Sequence, residues 1–386
     1  MADAQPTPLR VCQLISSFYP EVGGAEQATL RLSTELDKRG CTVCIVTRRY
    51  PGLAAHAEVE GLQVLRAGIP SRSKLGALSY LVHALFLLAT RLRGYAVVHA
   101  QGPDTQLITA LLAKRVLGRR MVFTIHSDPL LQLRIKDGAG GPRFKAVKRW
   151  ADRIGVLGSH VARTLEANGI PSKQIIQLPN GVNTERFRPA EGAERETLRR
   201  ELGISEGEVA GVFVGRLIGL KRVDLLIRAW VGSGASEKGP LFIVGDGPED
   251  DALKALAAEL GTNRVHFLGP LKAPERVLKG CDLFALPSQR EGQSVALLEA
   301  MACGLVPVVS DLEPNTAVVE NGVNGFVFST DNQAELERTL TTALDSDLHA
   351  IGDAAQAHVR ARNSLDKVAE THLSLYRKLT APDGGR

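Results

Sequence analysis

Cysteine is scarce. The 386 residues hold five, Cys12, Cys41, Cys44, Cys281 and Cys303. An odd number at irregular spacing builds no disulfide scaffold and points to a reducing compartment. Cys41 and Cys44 stand as C-x-x-C, but inside "CTVCIVTR", a β-like run in which positions i and i+3 face opposite sides. Packing is favoured there over a redox or metal site. Long apolar runs are missing too. "MADAQPTPLR" has no secretion-type apolar segment. The longest apolar stretch, "LGALSYLVHALFLLATRL" (75–92), is broken by Ser79, Tyr80, His83 and Arg91, which leaves its uncharged part too short to span a bilayer comfortably. A cytoplasmic protein is therefore expected. No repeat with a period of about 20–50 residues is present, which excludes a solenoid. No strand-like run is followed by a complete G-x-G-x-x-G, which argues against a nicotinamide dehydrogenase. No His/Cys cluster has metal-ligand spacing, and Asp345-Ser346-Asp347 follows a helical run, so it reads as a helix-capping loop.

What is present is a globular composition, 44% hydrophobic and 23% charged, with 38 glycines suited to many tight strand-to-helix turns. The length exceeds one ordinary core, so two domains are expected. Charge divides the chain in the same way. Residues 1–188 carry 26 Lys and Arg against 13 Asp and Glu, and residues 189–386 carry 21 against 29. The first half is strongly basic and the second acidic.

Strand-like and helical runs alternate in both halves. In the first half the strand candidates are 9–16, 41–48, 96–102, 120–127, 151–158 and 175–182. Helical "AEQATLRLSTELDKRG" (25–40), closed by Gly40, and "TQLITALLAKRVLG" (105–118) lie between them. "PNGVNTERFRPAEGAERE" (179–196) has the composition of a hinge. The alternation restarts at 209–216 and runs through 239–247, 264–270, 281–288, 305–311 and 325–329. An amphipathic helix at 365–380 closes it. Such alternation predicts an α/β protein with doubly wound parallel sheets. The expected architecture is two Rossmann-like domains facing a cleft, 1–187 and 188–362, with the 363–386 helix returning to the first. Ligands of such sheets bind beyond the carboxyl ends of the strands.

One stretch raises a chemical question. "SQREGQSVALLEAMACG" (288–304) places Glu291 just before a buried helix and Glu299 within it. A carboxylate out of water needs a partner. The helix is expected to begin near Ser294, so the backbone N–H groups of Gln293, Ser294 and Val295 form a positive helix end suited to phosphate or sugar hydroxyls. An N-terminal acid placed for the helix dipole would explain Glu291. It explains Glu299 poorly, because "ALLEAMA" is apolar on both sides.

The stretch resembles the E-x7-E element of retaining GT-B glycosyltransferases, the large family-4 group (glycosyl transferases group 1). Other fragments agree in order. "FYPEVGGAEQATLRLSTELDKRGCTVCIVT" resembles that family's N-terminal glycine loop and first helix, and "VFTIHSD" its histidine strand end. "LPNGVNTERFRP" resembles the hinge, and "GVFVGRLIGLKRVDLLIRAW" the basic phosphate loop. "LFIVGDGP" and "GPL" follow in order. The likeness spans roughly residues 9–330. It implies that Glu299 holds the ribose hydroxyls of a nucleotide donor. Glu291 would bind hydroxyls of the transferred sugar, and Gly292, Gln293, Ser294 and Val295 would belong to the donor-binding site. Arg216 and Lys221 would clamp the diphosphate as its charge grows. His126 would face the donor sugar, and Gly23 and Gly24 would let backbone approach phosphate or acceptor. It also implies front-face substitution without a protein nucleophile, no cofactor, and no required metal. Without the family, Arg216 and Lys221 read equally well as a solvated turn, and His126 as a satisfied strand-end histidine. "GDGP" (245–248) reads as a strand-to-helix corner.

Two departures stand out. The family's glycine–aromatic–glycine after the first glutamate is Gly292-Gln293-Ser294 here, and the usual glycine after the phosphate-loop lysine is Arg222. The expected function is retaining transfer from a nucleotide-diphospho-sugar, with UDP favoured on frequency in the family. The acceptor would be a lipid-linked or envelope glycan precursor. The alternatives are a nucleotide-sugar epimerase, a phosphorylase, glycosylation of a soluble small molecule, or a silent binding subunit. Nucleic acid is not expected, since the basic residues carry no binding module. Arg72 and Lys74 before the 75–92 run, and Arg91 and Arg93 at its end, match an interfacial helix on an anionic membrane. The plainer alternative is a buried helix with basic ends.

Overall fold

The computed structural model describes residues 8–21, 23–126, 133, 135–136 and 139–381. Among these the chain divides into two units, one of residues 1–181 with 365–386 and one of 182–364. The division lies close to the 187/188 and 362/363 boundaries read from the sequence. It falls earlier at the hinge because Val182 and Phe187 are buried in the core of the second unit.

In the first unit the elements run β1 (Arg10–Ile15), α1 (Gly24–Lys38), β2 (Thr42–Arg48), β3 (His56–Val59), β4 (Leu62–Ala67), α2 (Lys74–Ala89), β5 (Val97–Gln101), α3 (Thr105–Leu117) and β6 (Arg120–Ile125). They continue with the short ribbon β7 (Ile135–Lys136) and β8 (Ala139–Gly140), then α4 (Pro142–Trp150), β9 (Arg153–Val156), α5 (Ser159–Ala167) and β10 (Ile175–Gln177). The main sheet has the order β10-β9-β6-β5-β1-β2-β4-β3. Its strands are parallel except for β3 against β4. The order reverses between β1 and β5, so the loops after those two strands open the crevice where ligands of such sheets sit.

Local rules explain much of this unit. Helix α1 ends as expected at Gly40, whose φ of +79° suits glycine. The Cys41 N–H reaches Leu36 O at 3.0 Å and the Gly40 N–H reaches Asp37 O at 2.9 Å, a Schellman stop. Cys12 and Cys44 lie in one apolar cluster and Cys41 in the cluster on the other face of the sheet, as strand alternation requires. All five cysteines are free and buried. The β3–β4 hairpin is absent from the sequence reading, because "LQVLRA" carries Gln63 and Arg66. Arg66 is buried nonetheless, donating to the carbonyls of Tyr19 and Ala54.

The second unit contains α6 (Gly192–Glu201), β11 (Gly211–Val214), α7 (Val223–Gly232), α8 (Ala235–Lys238), β12 (Leu241–Val244), α9 (Asp250–Glu259), β13 (Val265–Gly269), α10 (Glu275–Gly280) and β14 (Leu283–Leu286). It continues with α11 (Val295–Ala302), β15 (Val306–Ser310), α12 (Glu313–Thr316), β16 (Phe326–Phe328), α13 (Gln333–Leu344) and α14 (Leu348–Arg362). Its parallel sheet has the order β13-β12-β11-β14-β15-β16, that of a Rossmann fold. The switch point lies between β11 and β14. The run Asp345-Ser346-Asp347 is a cap, with Asp347 Oδ1 accepting from the N–H groups of His349 and Ala350 at 3.1 Å each. The last helix, α15 (Leu365–Thr380), belongs to the first unit, where Val368, Leu373 and Tyr376 join the core that holds Leu30 and Leu36 of α1.

Candidate active site

The residues singled out in the second unit converge on its switch point. Arg216 follows β11, and Lys221 ends the single turn Gly219–Lys221 in the same loop. Glu291 lies in the loop after β14. The Gln289 N–H donates to Leu220 O at 2.9 Å and ties the two loops together. Ser294 is the N-cap of α11, its hydroxyl accepting from the Leu297 N–H at 3.3 Å. The helix therefore begins at Val295, where the composition of the stretch places it. The half-buried Gly292, Gln293, Ser294 and Val295 form its mouth. Glu299 sits in the second turn, only 5% exposed.

Two contacts change the expected picture. Lys221 Nζ donates to Glu291 Oε1 at 2.5 Å, and Ser288 Oγ donates to the same oxygen at 2.7 Å. The lysine assigned to phosphate and the glutamate assigned to sugar thus neutralise each other, with side-chain exposures of 21% and 8%. Both bonds land on Oε1, so Oε2 keeps its acceptor capacity. Arg216 is exposed and makes no ion pair among the described residues. Of the two cations it is the one uncommitted to an acid. Arg222, in the position where the family carries glycine, has φ +48°. That left-handed conformation favours glycine, the residue the resemblance led one to expect there. The Arg222 guanidinium is held by Asp224 at 3.0 Å and by Asp331, so it is a structural clamp between α7 and the loop after β16.

In the first unit, Gly23 is the N-cap and Gly24 the first residue of α1. Gly23 is extended, so conformation does not demand glycine there. A Cβ on Gly24 would meet nothing within 4 Å, and one on Gly23 would crowd only Glu26 Oε2 at 2.7 Å. Glu26 accepts from Ser17 Oγ at 2.5 Å, which pins the start of α1 to the loop after β1. Val22, Ser127 and Asp128 of the matching motifs lie outside the described residues. His126 follows β6 and is half-buried. Its Nε2 lies 2.8 Å from Gln101 Oε1, and burial lowers its pKa to about 4, so the ring is neutral at pH 7.

A family model described as glycosyl transferases group 1 matches residues 194–361, and one described as glycosyltransferase family 4 matches residues 22–186. The chain is 30% identical over 318 residues to 2-deoxystreptamine N-acetyl-D-glucosaminyltransferase of Streptomyces fradiae, covering 74% of each protein. The chain belongs to the group 1 glycosyltransferases. It is also 24% identical over 383 residues to N-acetyl-alpha-D-glucosaminyl L-malate synthase of Bacillus anthracis, covering 93% of this chain and 94% of that one. Among solved structures it resembles Anabaena Alr3699/HepE in complex with UDP and glucose, with a TM-score of 0.77, 20% identity, and coverage of 95% and 99%. At that identity the likeness establishes the GT-B fold.

In this glycosyltransferase a glycine corner braces the loop after β11. "GDGP" is a strand-to-helix corner, as read, but it also presses on the loop that carries Arg216. A Cβ on Gly245 would lie 1.8 Å from Gly215 O, and one on Gly247 2.2 Å from Leu217 O. The Leu217 N–H also donates to Asp246 O at 2.7 Å. Ser288 was missed as well. It lies buried two residues beyond β14, and nothing in its local sequence distinguishes it from a packing serine. Among the described residues no group of three or more His, Cys, Asp or Glu could hold a metal ion, and no helix is long and apolar enough to cross a membrane.

Proposed function

We propose that this glycosyltransferase moves a sugar from a nucleotide-diphospho-sugar, with a UDP-sugar favoured, and retains its anomeric configuration. The observation that carries the reading is the convergence at one switch point of Arg216, Lys221, the capped mouth of α11 and the buried Glu299. Glu299 would accept two vicinal ribose hydroxyls, the α11 mouth and Arg216 would take the diphosphate, and Glu291 Oε2 a hydroxyl of the sugar. For His126, in the first unit, the resemblance supports a contact to a substrate hydroxyl. In the step itself the acceptor oxygen bonds to the anomeric carbon as the carbon–oxygen bond to the β-phosphate breaks. The acceptor's proton passes to the departing phosphate oxygen on the same face. Charge grows on that phosphate, where Arg216 and Lys221 stabilise it. The UDP held by Anabaena HepE supports the choice of base. A thermal-shift screen of UDP, GDP, ADP and their sugars tests the donor, and UDP-sugars are expected to give the largest shift. Incubation with the stabilising donor, with and without acceptor alcohols, then separates transfer from epimerisation. An inverted product by NMR, or an epimer formed without acceptor, would overturn the reading.

A second observation favours a membrane-linked acceptor. Helix α2 buries Tyr80, Ala84 and Leu88, yet exposes Leu75, Leu78, Val82 and Phe86 by 57–64%. The expectation of a simply buried helix therefore fails, because the helix is apolar on both faces and the first unit covers only one. No acid occurs from residue 61 to 103, while Lys74, Arg91 and Arg93 are exposed at the helix ends. An apolar stripe between cations fits the head-group layer of an anionic membrane. Arg72 is a poor probe of this surface, because it pairs with Glu21 and lies 4.6 Å over the Tyr50 ring. Vesicle co-sedimentation should show a preference for anionic over neutral lipid at low salt, lost in Lys74→Glu/Arg91→Glu. Equal binding to both vesicles would sink the lipid-linked acceptor.

A further inference from the structure

The first unit carries a line of buried polar side chains through its sheet, in strands that are otherwise apolar. Gln13 of β1, His99 and Gln101 of β5 and Thr124 of β6 are each at most 5% exposed. Their contacts form a connected path. His126 Nε2 faces Gln101 Oε1 at 2.8 Å, and Gln101 Nε2 donates to Gln13 Oε1 at 2.9 Å. Gln13 lies beside the Tyr376 hydroxyl of α15. That hydroxyl is 2.7 Å from His99 Nδ1, and His99 Nε2 is 2.7 Å from Thr124 Oγ1. The backbone of Gln101 is fixed as well, its carbonyl accepting from Gln106 Nε2 at 3.1 Å.

The chemistry of a primary amide gives this path a direction. The Gln101 amide nitrogen is spent on Gln13, so its oxygen meets the imidazole. An oxygen can only accept, so in this arrangement of the two amides His126 Nε2 carries the proton. Burial keeps the ring neutral, and the second nitrogen, Nδ1, then carries a lone pair. Among the described residues His126 makes no other side-chain hydrogen bond.

We infer that Gln101, oriented by Gln13, is a positioning residue that holds His126 in the Nε2–H tautomer and so presents Nδ1 as an acceptor for a substrate hydroxyl. His126 thereby selects a group that can donate, a hydroxyl rather than a carbonyl oxygen. The last clause rests on the sugar reading of His126, whereas the tautomer does not, and it is read without substrate.

The test is 15N NMR of the full chain labelled at histidine, with the His126 signals assigned by their loss in His126→Gln. At pH 7 the wild type should show the Nε2–H pattern, and an Nδ1–H pattern would overturn the inference with no variant needed. Gln101→Leu should shift the ring toward a tautomer mixture. It should also lower kcat/KM for the donor sugar about tenfold, the loss of one hydrogen bond, with affinity for the free nucleoside diphosphate unchanged. Gln101→Glu, of the same size, should raise the His126 pKa by about 1–3 units and move the acid limb of the rate profile upward with it. An unchanged tautomer in folded Gln101→Leu, or an unmoved pKa in Gln101→Glu, would reduce Gln101 to a packing residue. The correct tautomer with no sugar transfer would leave this inference standing and remove the proposed function instead.

Discussion

The two units share a doubly wound plan but place their polar groups differently. In the second unit the strands are almost wholly apolar, "GVFV", "LFIV" and "LFAL", and the residues proposed for the chemistry lie in loops beyond their carboxyl ends. Arg216, Lys221, Glu291 and Ser294 all sit there, and only Glu299 is set deeper, in a helix. In the first unit the strands themselves carry polar residues, "RVCQLI", "VVHAQ" and "RMVFTI", joined into a path that ends at His126. A strand core of alkyl groups tolerates loop changes, because nothing in it depends on direction. A buried polar path is directional, and breaking one link strands the next. The comparison predicts that site mutations in the second unit alter binding and rate, whereas mutations and pH changes in the first unit alter stability and site together.

The largest effect should follow removal of charge in the second unit. Arg216→Ala, which leaves no buried acid behind, should lower turnover by the about 2.7–4 kcal/mol of a lost transition-state donor, with an unchanged melting temperature. Lys221→Ala should also lower turnover, but it strands the 8%-exposed Glu291 and should cost stability too. Steady-state rates and melting curves for both variants decide this, and normal turnover in Arg216→Ala would make its loop an ordinary solvated turn.

Next comes the pH response of the first unit. His372 is buried and neutral, its pKa lowered by burial from 6.5 to about 4, and burial also holds the neighbouring His99 well below the usual histidine range. Unfolding frees such rings to take up protons, so their contribution is intact above about pH 6.5 and is lost as pH falls toward 4. For His372 alone this is worth about 3 kcal/mol. Denaturant melts at pH 7 and 4.5 should show the loss, and His372→Gln should flatten it. An equal pH slope in that variant would contradict the assignment.

Glu299→Ala should weaken nucleoside diphosphate binding by about 1.5–3 kcal/mol, the value of hydrogen bonds to a charged group. Calorimetry with the favoured nucleotide measures it, and unchanged affinity in a folded variant would end the ribose assignment. The smallest effect is expected for Arg222→Gly. It removes the clamp to Asp224 and Asp331 but relieves a left-handed backbone, two terms of about 1 kcal/mol each that oppose one another. A shift in melting temperature of many degrees would show that one of them has been misjudged.

Some of the site was legible because it is local. A capping serine, an apolar helix and an acid inside it lie within "SVALLEAMA", and the start of α11 at Val295 follows from those residues alone. The Gly40 stop, the opposite faces of Cys41 and Cys44, and the Asp347 cap are local in the same way. The β3–β4 hairpin was not legible, since Arg66 breaks its pattern and is made tolerable only by carbonyls from Tyr19 and Ala54. The Lys221–Glu291 pair joins residues seventy apart in the chain. Each residue was legible, but the partnership was not.

The sequence alone therefore determined the alternating α/β plan, the order of the motifs and the residue types at the ends of β11 and β14, because backbone preference and side-chain period act over a few residues. Tertiary structure decided which of those groups meet. Strand register sets Gln13 opposite His99 and Ile15 opposite Gln101, and the packing of α15 brings Tyr376 to His99. No periodicity encodes that register, because it is fixed by the way whole strands and helices bury their faces against one another. The directed path to His126 exists only once they have done so.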